Sequence, residues 1–395
     1  MKENFFKHQA QTSPSPLAME ISYANGCYIY DNTHKAYLDF VAGVSANTLG
    51  HNHPSISEAI KNQVDTYTHV MVYGEFIQKP QVALAKLLAD NLPEPLKTVY
   101  LTNSGTEATE GAIKLAKRYT GRAEIIAAKN AYHGNTQGAM SVCGAEQQNS
   151  AFRPLIPGTK FIQFNNENDI ANITEQTAAV ILETIQGGAG FIVPQNNYLK
   201  KVKEQCKKVG ALLILDEIQS GIGRTGTFFG FQNFDVIPDI IVTGKGLGGG
   251  MPIGAFIASY EMMQTFIHHP KLGHITTFGG HPVISAAAHA TLSELFNSNL
   301  MEEALEKEKI IRSKLQHPLI QEIRGKGLML AAIAQSKEIA DQLILTCLEK
   351  GLILYWLLFE GKAIRITPPL TISEEEIEKG CNIIIETLNE IQKEF

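Results

Sequence analysis

The stretch ALLILDEIQSGIGRTG, residues 211–226, decides the fold of this 395-residue chain. Its first five residues are apolar, which is typical of a strand whose two faces are both covered. Asp216 lies at the carboxyl end of this apolar run, and glycine-rich sequence follows it. Ligands of open α/β sheets bind at the carboxyl ends of the strands, so the stretch predicts a buried strand that carries a functional carboxylate.

Six further apolar runs lie on either side of this strand, and helical patterns lie between them. The clearest helical patterns cover residues 106–119 and 198–208. The alternation predicts an α/β fold whose large domain has a mostly parallel seven-stranded sheet covered by helices on both faces. The six runs are TVYLTN (98–103), EIIAAK (124–129), KFIQF (160–164), AAVILETI (178–185), DIIVTGK (239–245) and IGAFIAS (253–259).

The sequence changes character after about residue 290. A charged helical pattern (300–315), strand-like runs (327–334, 352–358 and 363–369) and a final helical pattern (374–391) predict a smaller α+β domain. The strand-like runs YIYD (28–31) and AYLDF (36–40) are expected to pack with it. We therefore predict an N-terminal segment (1–50), a large domain (51–290) and a small C-terminal domain (291–395), because 395 residues exceed what one core usually organises.

Composition narrows the class of protein. A formal charge of −6 and a pI near 6.1 give no electrostatic reason to expect nucleic acid or an anionic membrane as a partner. The five cysteines are scattered and do not cluster with histidine at metal spacing, which predicts reduced thiols and no metal site. The start of the chain lacks the apolar core of a secretory signal, and no apolar run approaches a membrane span, so we expect a cytoplasmic protein.

Lys245 ends an apolar run and is followed at once by glycines in TGKGLGGGMPIGA, residues 243–255. A lysine amine that is desolvated or lies near a cation has a lowered pKa and can form a Schiff base with an aldehyde. The glycines let the backbone pass close to a flat ligand. A lysine in such a place is more often a cation at a helix end, so Lys245 does not identify a function by itself.

Asp216 needs a partner, because a buried unpaired carboxylate is costly. A pyridinium nitrogen would supply that partner, and the carboxylate would keep the nitrogen protonated so that the ring acts as an electron sink. Gln219, three residues on, could donate to a ring hydroxyl. The competing interpretations of Asp216 are a carboxylate that caps the following turn and one that binds Mg²⁺.

A phosphate site and an aromatic ring are predicted after two other strands. In LTNSGTEATEGAIKLAKRYTG (101–121) a strand leads through a turn into a helix, whose free amides and dipole favour a phosphate, with hydroxyls from Ser104 and Thr106. An N-cap explains Ser104 equally well. In AYHGN (131–135), Tyr132 and His133 follow a strand, where an aromatic face can stack on a flat ring, although such aromatics more often fill the core or the surface. Pyridoxal 5′-phosphate (PLP) requires these four groups together: a lysine, a carboxylate, an anion-binding site and an aromatic ring.

Four motifs in this order resemble the class III aminotransferases, the family of ornithine, acetylornithine and 4-aminobutyrate aminotransferases. They are NSGTEA (103–108), DEIQSGIGRTG (216–226), TGKGLGGGMPIGA (243–255) and TTFGGHP (276–282), and the resemblance extends from about Gly26 to Leu370. It implies fold type I, PLP as the cofactor, Lys245 as the catalytic lysine that holds it, and a homodimer with active sites shared at the subunit interface.

The same resemblance assigns further residues to the site. Thr277 is similar to the threonine that reaches the phosphate bound in the neighbouring subunit, and Thr276 to one that faces the substrate. Arg365 is similar to the arginine that grips the α-carboxylate of glutamate or 2-oxoglutarate, which suits a bidentate guanidinium. The implied cofactor-binding residues are Ser104, Gly105, Thr106, Tyr132, His133, Glu183, Asp216, Gln219, Lys245 and Thr277, and the substrate-binding positions are Val44, Asn135, Thr276 and Arg365.

Three positions depart from the family pattern and leave the substrate open. Asn135 stands where ornithine- and acetylornithine-type members commonly have an arginine, so a second carboxylate clamp is missing. Gly188, in ETIQGGAG (183–190), stands where a glutamate can shield the substrate-binding arginine. Val44 stands where ornithine aminotransferases carry a tyrosine that contacts ornithine.

The expected reaction is a ping-pong transamination from an amino donor, such as the ω-amine of acetylornithine or ornithine, to a 2-oxo acid, 2-oxoglutarate. Alternatives with the same cofactor core are an aminomutase resembling glutamate-1-semialdehyde aminomutase, a decarboxylating relative, and a class III transaminase acting on another amine. GRTG after DEIQSGI is more similar to the transaminase branch. A PLP-fold protein that only binds its ligand is a further alternative, against which the presence of both Lys245 and Asp216 argues.

Overall fold

The computed structural model describes residues 1–393, so residues 394 and 395 of the predicted C-terminal domain lie outside the described part. The strands are β1 (Ile21–Asn25), β2 (Tyr28–Asp31), β3 (Ala36–Asp39), β4 (Thr98–Thr102), β5 (Glu124–Ala128), β6 (Thr159–Ile162), β7 (Thr177–Glu183), β8 (Leu212–Asp216), β9 (Ile240–Gly244), β10 (Gly254–Ala258), β11 (Ile320–Lys326), β12 (Met329–Ala334), β13 (Leu352–Ile353), β14 (Tyr355–Trp356) and β15 (Ala363–Ile366). The seven predicted strands of the large domain correspond to β4–β10.

The α-helices follow the alternation with strands predicted for the large domain only in part, since no α-helix in the described part of the chain separates β8 from β9 or β9 from β10. They are α1 (Lys2–His8), α2 (Ala42–Ser45), α3 (Pro54–Thr66), α4 (Lys79–Asp90), α5 (Gly105–Thr120), α6 (Gln137–Ser141), α7 (Glu146–Asn149), α8 (Tyr198–Val209), α9 (Tyr260–Gln264), α10 (Pro282–Phe296), α11 (Leu300–Lys314), α12 (Lys337–Glu349) and α13 (Glu374–Gln392). The helices predicted at 106–119 and 198–208 are α5 and α8.

The central sheet has seven strands in the order β4-β10-β9-β8-β7-β5-β6. The pairs from β9 to β6 are parallel, while β10 runs antiparallel to both of its neighbours. Because β4 is antiparallel to β10, it points in the same direction as β9. The carboxyl ends of β4, β5, β7, β8 and β9 therefore meet at one edge of the sheet.

Strand β8 lies at the centre of the sheet and is buried along its whole length. Leu213 and Leu215 pack on the face covered by α8, whereas Leu212 and Ile214 pack on the face covered by α5. Alternation across a strand puts successive side chains on opposite faces, so an apolar residue at every position implies helices on both sides. Burial of each such side chain contributes about 1.5–3 kcal/mol, and it holds Asp216 rigidly at the strand end.

Two smaller sheets flank the central one. The first has the order β11-β12-β15-β14, and the second has the order β1-β2-β3-β13. In the second sheet β13, from the C-terminal part of the chain, pairs in parallel with β3, from the N-terminal part. The N-terminal hairpin is therefore bonded directly to the C-terminal part, while the boundaries at residues 50 and 290 stay predictions.

Among residues 1–393, none of the helices combines the length and the apolar composition that a membrane crossing requires.

Candidate active site

A cavity of about 410 Å³ opens at the carboxyl edge of the central sheet. Glu183 at the end of β7 and Asp216 at the end of β8 are neighbours in register, and Lys245 follows β9 directly. The cavity brings together these eleven predicted positions: Val44, Gly105, Thr106, Tyr132, His133, Asn135, Glu183, Asp216, Gln219, Lys245 and Arg365.

Asp216 is held in place by two hydrogen bonds. Its Oδ2 lies 2.7 Å from Nδ1 of His133, and its Oδ1 accepts from the backbone N–H of Ile218 at 2.9 Å. Burial lowers the pKa of His133, but the hydrogen bond and the charge of Asp216 outweigh it, so that the pKa is raised. Asp216 is only 5% exposed, and these contacts give both of its oxygens a hydrogen-bond partner.

Lys245 begins a short 3₁₀ turn, Lys245–Gly248, directly after β9. Its φ of +40° places a non-glycine residue in the left-handed region, which is uncommon and is found at functional sites. Burial first, and then the positive charge of Arg365, lower the pKa of Lys245 to about 8. Far more of its amine is therefore neutral and nucleophilic near neutral pH than in an ordinary exposed lysine.

Glu183 lies beside Asp216 and is bound by backbone amides. Its Oε1 accepts from Gly187 N at 3.0 Å and its Oε2 from Tyr132 N at 3.3 Å. Burial is the main cause that raises the pKa of Glu183 to about 7, and the nearby carboxylate of Asp216 adds to it. Glu183 thereby fixes the backbone that carries the half-exposed ring of Tyr132.

The amino-terminal end of α5 forms another part of the cavity wall. Ser104 is the N-cap, and its hydroxyl accepts from Glu107 N at 3.4 Å, so the capping interpretation of this serine holds in the structure. Gly105 and Thr106 face the cavity beyond it. At Gly105 an added Cβ would lie 2.6 Å from Cδ1 of Ile218, so a larger residue would require the Ile218 side chain in the neighbouring loop to move.

Arg365, on β15, brings the C-terminal part of the chain to the same cavity. It is 5% exposed, and its Nε and Nη1 make no hydrogen bond within residues 1–393. The guanidinium lies 5.5 Å from the centre of the Phe191 ring, and burial lowers the pKa of Arg365 to about 10. A buried cation with free donors is a binding group for a planar anion such as a carboxylate.

The three departures from the family pattern all lie in this cavity. Gly188 is packed against Phe359, since an added Cβ would lie 2.7 Å from the Cδ2 atom of that ring. Asn135 is exposed at the cavity wall, and Val44 lines it from the N-terminal segment. A side chain at position 188 would therefore require the Phe359 ring to move.

Thr276 and Thr277 do not line this cavity. Thr276 accepts from Gly279 N at 3.1 Å, while Thr277 is exposed and lines a separate cavity of about 190 Å³ with His69, Tyr73 and Phe278. Within one chain these threonines are therefore apart from Lys245.

Sequence reasoning missed part of the wall. Ile185, Tyr355, Trp356 and Leu358 line the cavity, and three of them come from the run LILYWLL, which we interpreted only as a strand. An apolar strand pattern does not indicate which of its residues will face a distant site. The aromatic and aliphatic side chains could have been found only from the placement of β14.

The residues present fit PLP. A buried carboxylate suits a pyridinium nitrogen, the free amides at Gly105 and Thr106 suit a phosphate, and the pKa of Lys245, lowered to about 8, suits an amine that reacts with an aldehyde. The fold and this set of groups define a PLP-dependent transaminase of fold type I. The chain belongs to the class III aminotransferases, since the family described as Aminotransferase class-III matches residues 9–388.

Known relatives agree with this assignment. The chain is 38% identical to an acetylornithine aminotransferase of Caldanaerobacter subterraneus subsp. tengcongensis, over 93% of this chain and 94% of the relative. It is 39% identical to that of Methanopyrus kandleri, over 92% of each. A structure of ornithine aminotransferase from Toxoplasma gondii, which reports PLP at its active site, superposes with a TM-score of 0.92 at 30% identity and covers 100% of this chain and 95% of the other.

The predicted family, fold class, reaction type and cofactor are confirmed by these findings. The aminomutase alternative is not favoured by them. The individual site residues stay predictions, and the cavity supports those that it brings together.

Proposed function

We propose that this aminotransferase moves an amino group from the ω-amine of an amino acid such as acetylornithine or ornithine to 2-oxoglutarate. The observation that carries the proposal is that Lys245 and Arg365, from distant parts of the chain, line one cavity. The first group reacts with the cofactor, and the second binds a substrate carboxylate. The donor is proposed from the names of the relatives, which are acetylornithine aminotransferases.

Each wall of the cavity has a proposed role toward PLP. Bound PLP supplies a ring that takes up the electrons left on the substrate carbon when its proton is removed. Asp216 faces the pyridine nitrogen, with His133 holding the carboxylate in position. Ser104, Gly105 and Thr106 bind the phosphate at the start of α5, Tyr132 stacks on the ring, and Gln219 faces the ring hydroxyl.

Lys245 Nζ is proposed to carry the proton. Because its pKa is lowered to about 8, the free amine of Lys245 would accept a proton from the substrate carbon and, once protonated, would deliver it to C4′ of the bound cofactor. Arg365 holds the carboxylate of the substrate while this happens. Its free donors Nε and Nη1 point to a binding group that is ready before the substrate arrives.

Arg365 is proposed to serve both half-reactions without a competing carboxylate. Position 188 is a glycine packed against Phe359, so it offers no acidic side chain to the arginine. Asn135 offers an amide where a second guanidinium is absent, and it is proposed to donate to the distal end of the substrate. Substrate selection therefore depends on Val44, Asn135 and the aromatic side chains of Tyr355 and Trp356.

We further propose that the enzyme is a cytoplasmic homodimer with shared active sites. Thr277 lies outside the active-site cavity of its own chain. The surface around it exposes apolar side chains, among them Phe76, Phe278 and Ile77, of which Ile77 is 95% exposed. Large exposed apolar patches mark interfaces. A second copy that covers this surface would bring its Thr276 and Thr277 to the cofactor.

Absorbance spectroscopy tests the reaction. Adding acetylornithine or ornithine alone should change the visible absorbance of the bound cofactor, and adding 2-oxoglutarate should restore it. A panel of other donors under the same conditions identifies the preferred amine, and Lys245→Ala is the inactive control. If no donor changes the spectrum, or if the change occurs without recovery, the proposed ping-pong reaction is wrong.

A further inference from the structure

We propose that Asp39 and His51 are positioning residues, which hold a strained turn of the N-terminal segment, residues 42–45, in the wall of the active-site cavity. The role of the turn in substrate binding rests on the proposed function. The way in which the pair holds the turn rests on the structure alone.

The turn corresponds to the short element α2 (Ala42–Ser45), but it is left-handed over four consecutive residues and is not a regular right-handed α-helix. The φ angles are +51° at Ala42, +59° at Gly43, +62° at Val44 and +64° at Ser45. L-residues avoid this region because Cβ approaches the following carbonyl oxygen, and β-branched side chains avoid it most. Only one of the four is glycine, so the conformation persists only if its surroundings enforce it.

Asp39 binds the start of the turn from inside the protein. Its side chain is 1% exposed, and its Oδ1 accepts from Val41 N at 2.8 Å and from Ala42 N at 2.9 Å. Its Oδ2 accepts from Nε2 of His51 at 2.8 Å. The carboxylate thus has partners on both oxygens, and two of them are the amides that lead into the turn.

His51 is itself anchored. Its N–H donates to Gly26 O at 2.8 Å, and its carbonyl accepts from Gly26 N at 2.9 Å. Because Gly26 lies in the turn between β1 and β2, the imidazole projects from a residue that is bonded to this hairpin. The chain therefore leaves β3 at Asp39, passes through the turn, and returns at His51, whose imidazole binds the carboxylate of Asp39. The pair closes this loop, and the turn lies inside it.

The turn contacts the catalytic region at two places. Val44 lines the cavity, and Ser45 Oγ accepts from Gln219 Nε2 at 3.2 Å. Thr48, just beyond the turn, donates to the backbone oxygen of Gly246 at 3.1 Å, next to Lys245. Relaxation of the turn would move a wall of the cavity and remove a partner of Gln219.

The same turn is tied to the strand that carries Arg365. Thr367 N donates to Phe40 O at 2.7 Å, and Thr367 Oγ1 donates to Val41 O at 3.0 Å. The position of the turn relative to both Lys245 and Arg365 is therefore set by hydrogen bonds that Asp39 and His51 complete.

The test uses the variants Asp39→Ala, His51→Leu and His51→Gln in the PLP-loaded enzyme. Asp39→Ala and His51→Leu should raise the KM for both substrates about tenfold, with a smaller change in kcat, because misplaced binding groups lose substrate orientation. They should also shift the visible absorbance of the bound cofactor. His51→Gln keeps a donor and should restore most of the KM and the absorbance.

Hydrogen exchange gives a readout that does not need activity. In the apoprotein, residues 40–48 should exchange faster in Asp39→Ala and His51→Leu than in the parent protein. Ala42→Gly should reverse both the faster exchange and the raised KM in the Asp39→Ala background, because glycine adopts the left-handed conformation without steric cost. Ala42 is fully buried and does not line the cavity.

A matched control is Asp239→Ala. Asp239 also accepts from a backbone amide, Leu213 N at 2.7 Å, and pairs with a cation, Lys203 Nζ at 2.6 Å, but at the amino ends of the strands. It should lower thermal stability and leave KM and the cofactor spectrum unchanged.

Two results would overturn the proposal: an unchanged KM and unchanged exchange in Asp39→Ala, or no rescue by Ala42→Gly. If the parent enzyme transfers no amino group, the proposed function fails, while the exchange of residues 40–48 still decides whether the pair holds the turn.

Discussion

At the scale of single residues, Lys245 and Arg365 are coupled through their charges. Burial is the largest cause of the low pKa of Lys245, and the guanidinium of Arg365 is the next. A cation disfavours a second positive charge nearby, so the amine is kept reactive in part by the group that we propose to bind the substrate. Neither the burial of Lys245 nor its proximity to Arg365 can be inferred from the sequences TGKGLGGGMPIGA (243–255) and AIRITPPL (363–370) alone.

This coupling predicts how the reactivity of Lys245 depends on pH. In the apoprotein, the rate of covalent capture of pyridoxal, trapped by borohydride reduction, should rise with pH around a midpoint near 8. The rate rises because only the neutral amine attacks the aldehyde. Arg365→Gln removes the nearby positive charge and should move the midpoint to higher pH. A midpoint near the ordinary value for lysine, about 10.4, would show that Lys245 is not desolvated.

At the scale of elements, two loops position the site by close packing or by buried hydrogen bonds. The loop after β7 packs against the segment after β14, where Phe359 N donates to Gly188 O at 2.9 Å and the ring covers the glycine. The loop after β8 is held by Glu217, which is fully buried. Both contacts join parts of the chain that are far apart in sequence.

We predict that Gly188→Ala destabilises the enzyme. A Cβ at this position meets the Phe359 ring at 2.7 Å, and overpacking of this kind costs about 1–3 kcal/mol. Phe359→Ala in the same chain should recover part of the loss, as measured by the urea midpoint. Gly361→Ala is the control, because its Cβ would meet only Lys337 side-chain atoms, at 3.4 Å. Equal losses at positions 188 and 361 would contradict the packing argument.

We predict that the buried carboxylate of Glu217 stabilises the enzyme more than the packing at Gly188 does. Its Oε1 accepts from Thr184 Oγ1 at 2.6 Å and Phe231 N at 2.7 Å, and its Oε2 accepts from Ser220 Oγ at 2.7 Å and Gly230 N at 2.8 Å. Glu217→Gln turns an amide NH₂ toward two of these donors, so we expect a loss of about 2–4 kcal/mol.

Denaturant unfolding measures this loss. The control Glu306→Gln, at an exposed ion pair on α11, should change the free energy of unfolding by less than about 1 kcal/mol. A Glu217→Gln variant as stable as this control would mean that the buried carboxylate does not hold the loop.

The elements themselves were largely predictable. Strands β4–β10 each appear as an apolar or β-rich run, and the run is most apolar in the central strands such as β8 and β9, because burial on both faces removes polar residues from the sequence. The antiparallel direction of β10 was not predictable, since IGAFIAS has the same composition as a parallel strand. Strand β11 was missed because QEIRGK is polar, and the left-handed turn was missed because AGVS carries only one glycine.

At the scale of the whole molecule, Thr277 and its exposed surroundings lead to a test of the homodimer. Lys245→Ala dimers and Thr277→Glu dimers should each be inactive, the second because a carboxylate repels the cofactor phosphate. Mixed dimers should have one intact site if Thr277 serves the partner subunit, so that a randomly exchanged mixture recovers about one quarter of the parent activity. If Thr277 served its own subunit, mixing would recover nothing.

Sequence alone determined the chemistry of this protein: a lysine, a carboxylate, an anion cup and an aromatic ring, each directly after a predicted strand. Local rules suffice for that, because parallel strands bring their carboxyl ends to one edge. Only the tertiary structure decided which side chains complete the cavity around these groups. Arg365, Tyr355 and Trp356 reach the cavity by the packing of the C-terminal part, Phe359 fills the space at Gly188, and Asp39 with His51 holds a strained turn against it. These are contacts between distant segments, and no local pattern encodes them.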